Sequence, residues 1–179
     1  MLKSILSKMI RKFESHYDYD ASYMHDINAI SASATTRLMM LSGMTNYSGT
    51  NKPIWGGAAL AATLYGDCGP CAQLVIDRLL EAGVDAKQLT ACINNDWPTA
   101  GTTGLGFRFA HATLHNLDNL DLLRNEIVEK YGDKTLLAAS FATVSYPVYP
   151  LLKRALGSAK ACQKLMIGEY QAVIEPPQS

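Results

Sequence analysis

Cys68 and Cys71 are the residues of this chain whose type and spacing point most directly to chemistry. They lie in the segment Asp67-Cys68-Gly69-Pro70-Cys71, where a helix over residues 71–82 is predicted to begin. The free N–H groups and the positive dipole end of a helix start favour a thiolate over a thiol. A thiolate attacks disulfides and peroxides, and a second cysteine three positions away can close a disulfide with it. The segment therefore predicts a redox-active pair.

Three other side chains could take part in that chemistry. Asp67 adjoins Cys68 and could accept its proton, although we favour a simple N-cap because Asp is a common cap. His111 lies on a later predicted helix and could act as a base from across a bundle, but a lone His on an apolar helix is more often a hydrogen-bonded core residue. His111 and His115 are four positions apart, so a zinc site built from Cys68, Cys71, His111 and His115 is an alternative. We favour a site without metal or cofactor, because this histidine pair lacks the spacing of known zinc modules.

The elements around the pair are predicted to be helices. Pro53 fits the first turn of an Ala-rich helix that ends near residue 65, just before the two cysteines. Gly83 ends the following helix, and Asp85 can cap the next one. Loops are predicted at 43–52 and 95–104, and further helices at 85–94, 105–116, 120–131 and 134–156, the last of them broken by Pro147 and Pro150.

The N-terminal part adds an amphipathic helix over residues 2–13 and a longer helix over 20–41 that stops at Gly43. The first has an apolar stripe and a basic side, which is typical of a helix on a membrane surface or of one docked on a core. We favour docking. No window shows the alternation of a strand, so the sequence predicts an all-α fold.

Composition limits the function classes. With 179 residues, 48% of them hydrophobic, the chain predicts a single domain over 1–179. Sixteen basic residues balance sixteen acidic ones, so no basic field indicates nucleic-acid binding. No apolar run approaches the ~18 residues that a membrane span needs, so no span is predicted. Cys92 and Cys162 stand alone in apolar surroundings, which favours buried thiols and a cytoplasmic location.

The layout around the pair resembles the alkylhydroperoxidase AhpD-like and carboxymuconolactone decarboxylase superfamily, in its CxxC-bearing branch. There, an Ala-rich helix leads through a short turn to a helix headed by CxxC, then to a Gly stop and a short acidic-capped helix, and residues 58–94 follow this order. Segments 106–110 and 136–154 resemble the next helices of the family. The resemblance covers residues 50–160 as an AhpD-like helical bundle and leaves 1–45 as an N-terminal helical extension. Thioredoxins share the letters Cys-Gly-Pro-Cys, but they need a β-strand where this chain has the Ala-rich helix.

The resemblance implies a homo-oligomer that uses Cys68 and Cys71 as a disulfide reductase or peroxidase, with a peroxide or disulfide substrate and a dithiol reductant. Cys68 is the conventional attacking cysteine, expected to be the more exposed one. The family's proton relay has His four residues after the second cysteine and Glu in the preceding helix; here Val75 and the stretch Ile54-Trp55-Gly56-Gly57 occupy those places. The alternative is a non-catalytic helical oligomer that retains a relic dithiol.

Overall fold

The chain is mostly helical in the computed structural model, which describes residues 1–158 and 164–173. Cys162 and the tail 175–179, for which we predict a buried thiol and disorder, lie outside these residues. The helical prediction is confirmed, but an unpredicted β-hairpin follows the helices. The elements are α1 (Leu2–Tyr17), α2 (Ser22–Ile30), α3 (Ala32–Met40), α4 (Ser42–Thr45), α5 (Lys52–Tyr65), α6 (Gly69–Glu81), α7 (Ala86–Ile93), α8 (Trp97–His115), α9 (Leu120–Tyr131), α10 (Asp133–Ser145), α11 (Val148–Ala155), β1 (Lys164–Ile167) and β2 (Tyr170–Val173).

Helix α5 lies at the centre of the main core, and its side chains are buried without interruption over residues 54–63. Small residues let it approach α8 closely. A Cβ atom at Gly57 would overlap the carbonyl oxygen of Thr103, and one at Gly106 would overlap that of Ile54. The two backbones are therefore in direct contact, which only glycine permits at these positions. This packing fixes α5, and with it the turn that leads to the cysteine pair.

The N-terminal helices α1–α3 pack on the rest of the fold, as the docking interpretation predicts. Ile10, Tyr19 and Tyr23 form a second apolar cluster that contacts Leu74 of α6 and Leu152 of α11. At the end of α1, the hydroxyl of Tyr17 donates a hydrogen bond of 2.8 Å to the carboxylate of Glu81. Leu6 and Ile10 of the apolar stripe of α1 are buried, whereas Leu2, Ile5 and Met9 stay about half exposed.

The prediction of one helix over residues 20–41 is wrong. The chain divides at Ser31, whose backbone is extended (φ −151°, ψ 108°) and whose hydroxyl accepts the N–H of Ala34, so that Ser31 caps α3. Serine favours this role because its side chain replaces a backbone acceptor at a helix start. Gly43 lies inside the short helix α4 instead of ending a helix.

The predicted loop over 95–104 is also wrong, because most of it forms the first part of α8. The carboxylate of Asp96 caps this helix by accepting the N–H of Thr99, and Pro98 occupies the first turn, where its missing N–H costs nothing. Gly101 interrupts the helix with a positive φ of 50°. Glycine in this segment indicates a loop from the sequence, but in the structure Gly101 forms a kink inside a helix.

The hairpin of β1 and β2 is antiparallel and turns at Gly168, which has a φ of 59°. Leu165 and Ile167 point into the main core. The side-chain amide of Gln73 in α6 both donates to the carbonyl of Met166 (2.9 Å) and accepts its N–H (2.8 Å). The hairpin is therefore fastened to α6 two residues after Cys71.

One segment of the described residues, Asp133–Ala155, is long and apolar enough to cross a membrane by length and composition. Half of its apolar window is buried inside the fold, and a core helix meets the same criteria. Hydroxyl side chains interrupt the segment, which is why a search for unbroken apolar runs passes over it. In the structure, it comprises α10 and α11, separated at Tyr146 and Pro147 as the two prolines predict.

Candidate thiol site

A tight turn between α5 and α6 positions the cysteine pair. Asp67 has a left-handed backbone (φ 47°), and Cys68, with extended backbone, is the N-cap residue of α6. The guanidinium of Arg154 holds this turn by donating to the carbonyl of Gly66 (2.7 Å) and lying 3.9 Å from the Asp67 carboxylate. The prediction that Asp67 caps α6 is therefore wrong, because the left-handed residue turns the chain so that the next one takes the cap position. Pro70 lies in the first turn of α6, where its missing N–H costs nothing.

Cys68 and Cys71 form a disulfide at the start of α6, with their Cα atoms 5.3 Å apart. Both side chains are buried, each with 3% of its surface exposed. The expectation that Cys68 is the more exposed cysteine is therefore wrong. The prediction that the two residues can pair is confirmed, and any distinction between their roles has to come from their surroundings.

Those surroundings differ because Cys71 lines a cavity of about 450 Å³ that is partly open to solvent. The cavity lies between the N-terminal helices and the faces of α5, α6 and α11. Its volume is in the range of small-molecule sites. The lining is mainly apolar and aromatic: Met9, Ile10, Phe13, Tyr17, Tyr19, Tyr23, Met24, Leu38, Met39, Leu74, Val75, Tyr146, Tyr149 and Pro150, with Ser42, Asn46, Thr63 and Arg78 as its polar members.

Tyr19 and Lys153 stand beside the sulfur of Cys71. The Tyr19 hydroxyl lies 3.8 Å from Cys71 Sγ, and Lys153 Nζ donates to the same hydroxyl at 3.2 Å. Lys153 is only 3% exposed and lies over the rings of Tyr19 and Tyr23, 4.9 and 5.1 Å from their centroids. Burial raises the pKa of Tyr19 to about 12, so its phenol keeps its proton at neutral pH. The result is a cation and a hydrogen-bond donor arranged in series towards one sulfur.

Sequence reasoning missed both residues. They are 134 positions apart, in the link between α1 and α2 and in α11. No local motif joins a tyrosine and a lysine at that separation, and each is ordinary in its own segment. The one available signal is a lysine on the buried face of the short amphipathic helix α11, where a charged residue needs partners.

His111 is exposed. The structure therefore supports neither a core position for His111 nor its approach to the cysteine pair. Its ring lies 4.3 Å from that of His115, which in turn lies 5.4 Å from the ring of Tyr65. Partial burial and the neighbouring His115 lower the pKa of His111. The zinc arrangement does not form: within residues 1–158 and 164–173, no group of three or more His, Cys, Asp or Glu side chains could hold a metal ion.

Apolar packing occupies the positions where the family's relay would stand. Val75 is buried at the cavity, one turn after Cys71. Ile54 and Trp55 are buried, and the Trp55 indole N–H donates to the carbonyl of Thr45 (3.0 Å). A Glu side chain at Gly57 would overlap the backbone of α8 at Thr103.

Cys92 in α7 is a buried, free thiol, in agreement with its predicted role as a small apolar core residue. Burial raises its pKa to about 12, with Arg108 acting weakly in the opposite direction. A thiol of this kind is unreactive at neutral pH.

No family model, curated protein or solved structure matches this chain. The resemblance to the AhpD-like superfamily therefore stays a prediction from the motif and its flanking helices.

Proposed function

We propose that the protein is a thiol-dependent redox protein, a disulfide reductase or peroxidase that works through Cys68 and Cys71. The observation that carries this proposal is the contact of Cys71, at a cavity, with the Tyr19 hydroxyl, which in turn accepts a hydrogen bond from Lys153. A relic dithiol has no need of a buried cation and phenol aimed at one of its sulfurs.

The surroundings of Cys71 suit a stabilised thiolate. After reduction of the disulfide, the Tyr19 hydroxyl can donate to the Cys71 sulfur while it accepts from the Lys153 ammonium. A hydrogen bond to a charged group stabilises that charged form, and a nearby cation adds to the effect. The start of α6 contributes its positive dipole end. These groups replace the Glu and His relay that the sequence lacks.

Cys71 is therefore the attacking cysteine in this proposal. Its thiolate attacks the distal oxygen of a peroxide, the O–O bond breaks, and the alcohol or water leaves with a proton, so that Cys71 becomes a sulfenic acid. Cys68 then attacks that sulfur, the S–O bond breaks, water leaves and the disulfide forms. With a disulfide substrate, Cys71 instead forms a mixed disulfide, which Cys68 resolves by releasing the second thiol. An external dithiol reduces the pair and is itself oxidised.

The test is the pH dependence of alkylation of the reduced protein, resolved by site with mass spectrometry. We expect Cys71 to show an apparent pKa clearly below the ~8.5 of an ordinary thiol, and Cys68 to show a higher one. Cys92 serves as the internal control, because it should stay unmodified at neutral pH.

Apparent pKa values at or above the ordinary figure for both cysteines of the pair would contradict the proposal. They would favour the non-catalytic alternative with a relic dithiol. A low pKa at Cys68 alone would keep the redox function but overturn the assignment of Cys71 as the attacking residue.

A further inference from the structure

Among the described residues, the lining of the cavity beside Cys71 includes one cation, Arg78 of α6. Its guanidinium donates to two neutral acceptors, the amide oxygen of Asn46 and the hydroxyl of Tyr17. Among the ion pairs of the described residues, none involves Arg78. Glu81, one turn further along α6, instead accepts from Tyr17 and pairs with His16.

A buried polar group in the same lining also lacks a partner among the described residues. The hydroxyl of Tyr146, whose side chain is 2% exposed, is buried at the cavity and has no hydrogen-bond partner within the described part of the chain. Leaving such a group unpaired is costly, so an unpaired hydroxyl in a cavity points to a ligand atom or water that completes it. Arg78, Tyr146 and Tyr149 all line this cavity. The charge of Arg78 acts to lower the pKa of both tyrosines, against the larger effect of burial, which raises it.

The rest of the lining has the opposite character. Phe13, Met24, Leu38 and Met39 give the cavity an apolar body, and methionine side chains adapt to the shape of what they contact. No Asp or Glu is among the described residues that line it. An apolar cavity whose lining includes the Arg78 cation and the unpaired Tyr146 hydroxyl is complementary to an apolar molecule that carries a single carboxylate.

We propose that the cavity binds a small apolar carboxylate, whose carboxylate group accepts hydrogen bonds from Arg78 and Tyr146 and whose apolar body lies along the N-terminal helices. Binding itself does not depend on the redox function. Only the further step, that the oxidant reduced by Cys71 is an apolar peroxide or disulfide that also carries a carboxylate, rests on the proposed function.

The probe for the test is decanoate, with decanol as the uncharged control of the same chain length. Titration calorimetry is done on the oxidised protein, in which the thiol chemistry is silent, below the concentration at which the probe self-associates. We expect saturable binding of one decanoate per chain. Arg78→Met should weaken decanoate binding about tenfold or more, as expected for loss of a hydrogen-bonded ion pair, and leave decanol binding unchanged.

Tyr146→Phe is the second variant, because it removes only the hydroxyl and keeps the buried ring. It should weaken decanoate binding several-fold and leave decanol binding unchanged. In the reduced protein, decanoate should slow alkylation of Cys71, since the two share the cavity. Thermal melting of each variant checks that it is folded.

Absence of saturable decanoate binding would overturn the proposal. So would equal binding of decanoate by the wild type and by folded Arg78→Met, or an equal loss of decanoate and decanol binding in that variant. Because binding is measured on the disulfide form, a protein that binds decanoate but has no reactive thiol would refute the proposed function and leave the ligand class standing.

Discussion

Cys71 and Cys92 are almost equally buried, with 3% and 1% of their surfaces exposed, yet their surroundings differ in kind. Around Cys92, the core offers apolar contacts, and burial raises the pKa of its thiol to about 12. Around Cys71, the Tyr19 hydroxyl, the Lys153 ammonium and the start of α6 all favour negative charge. The comparison teaches that burial alone does not decide the reactivity of a thiol. In a buried site, the chemical nature of the few polar neighbours decides it.

The strongest test of this contrast removes each sulfur in turn. Cys71→Ser should abolish peroxide or disulfide turnover, because the groups that stabilise a thiolate stand beside the sulfur of Cys71. Cys92→Ser should leave turnover at the wild-type level. Initial rates with a dithiol donor measure both variants, and a Cys71→Ser protein that retains turnover would break the assignment. Cys68→Ser should still react once per chain and then stop, because the resolving step is missing.

The next test removes the cation. Lys153→Met keeps a long apolar side chain but removes the ammonium that faces Tyr19. We expect the apparent pKa of Cys71 to rise by about one unit, which slows its alkylation near neutral pH about tenfold. Site-resolved alkylation rates give the pKa, and thermal melting shows whether the fold is kept. An unchanged pKa in a folded variant would make Lys153 a packing residue only.

Tyr19→Phe sharpens the comparison further by removing only a hydroxyl. The expected rise in the pKa of Cys71 is smaller, about half a unit to one unit, in line with the ~1 kcal/mol of a typical hydrogen bond. Because burial raises the Tyr19 pKa to about 12, the wild-type donor is present throughout the neutral range. Alkylation of Cys92 is the control in the same sample. If the rate at Cys71 in the Phe variant equals that of the wild type, the phenol has no part in activating the thiol.

The smallest effect concerns stability at the other cysteine. Cys92→Ala should destabilise the protein by about 1 kcal/mol through loss of buried contacts. In the wild type, the free energy of unfolding also depends on pH through Cys92. Above the ordinary cysteine pKa, this thiol ionises in the unfolded state but not in the folded state. Stability therefore falls as the pH rises towards the folded pKa of about 12. Denaturant unfolding at pH 7 and pH 9.5 should therefore show a smaller loss in the Ala variant. Equal losses in the two proteins would mean that folded Cys92 ionises as readily as an exposed thiol.

Much of the scaffold around the pair is predictable because its signals are local. Pro53 and Pro70 in first turns, the Asp85 cap and the left-handed Gly83 and Gly132 all act within a few residues of their own position. The wrong predictions at residues 31 and 97–104 arise because one residue type can have two structural roles. Serine can cap a helix as well as continue one, and glycine can mark a kink as well as a loop.

The candidate site is only half predictable. Cys68 and Cys71 are visible as a motif, but the assignment of the attacking sulfur depends on Tyr19 and Lys153, which meet it only when α11 and the N-terminal segment pack together. Exposure of His111 depends equally on tertiary packing, since nothing in its own helix distinguishes a core position from a surface one. Spacing thus predicts chemistry within one helix, whereas the partners from other helices require the fold.

The burial of both cysteine sulfurs also sets the kinetic order of the reaction with a large reductant. A protein-sized dithiol can reach the sulfurs only after the structure around the pair opens. Its reduction rate then rises with concentration at first and levels off at the opening rate, whatever the strength of the reductant. A small phosphine that enters the cavity would show no such ceiling. In this protein, the size of a reductant, and not its potential alone, would determine how fast the pair is reset.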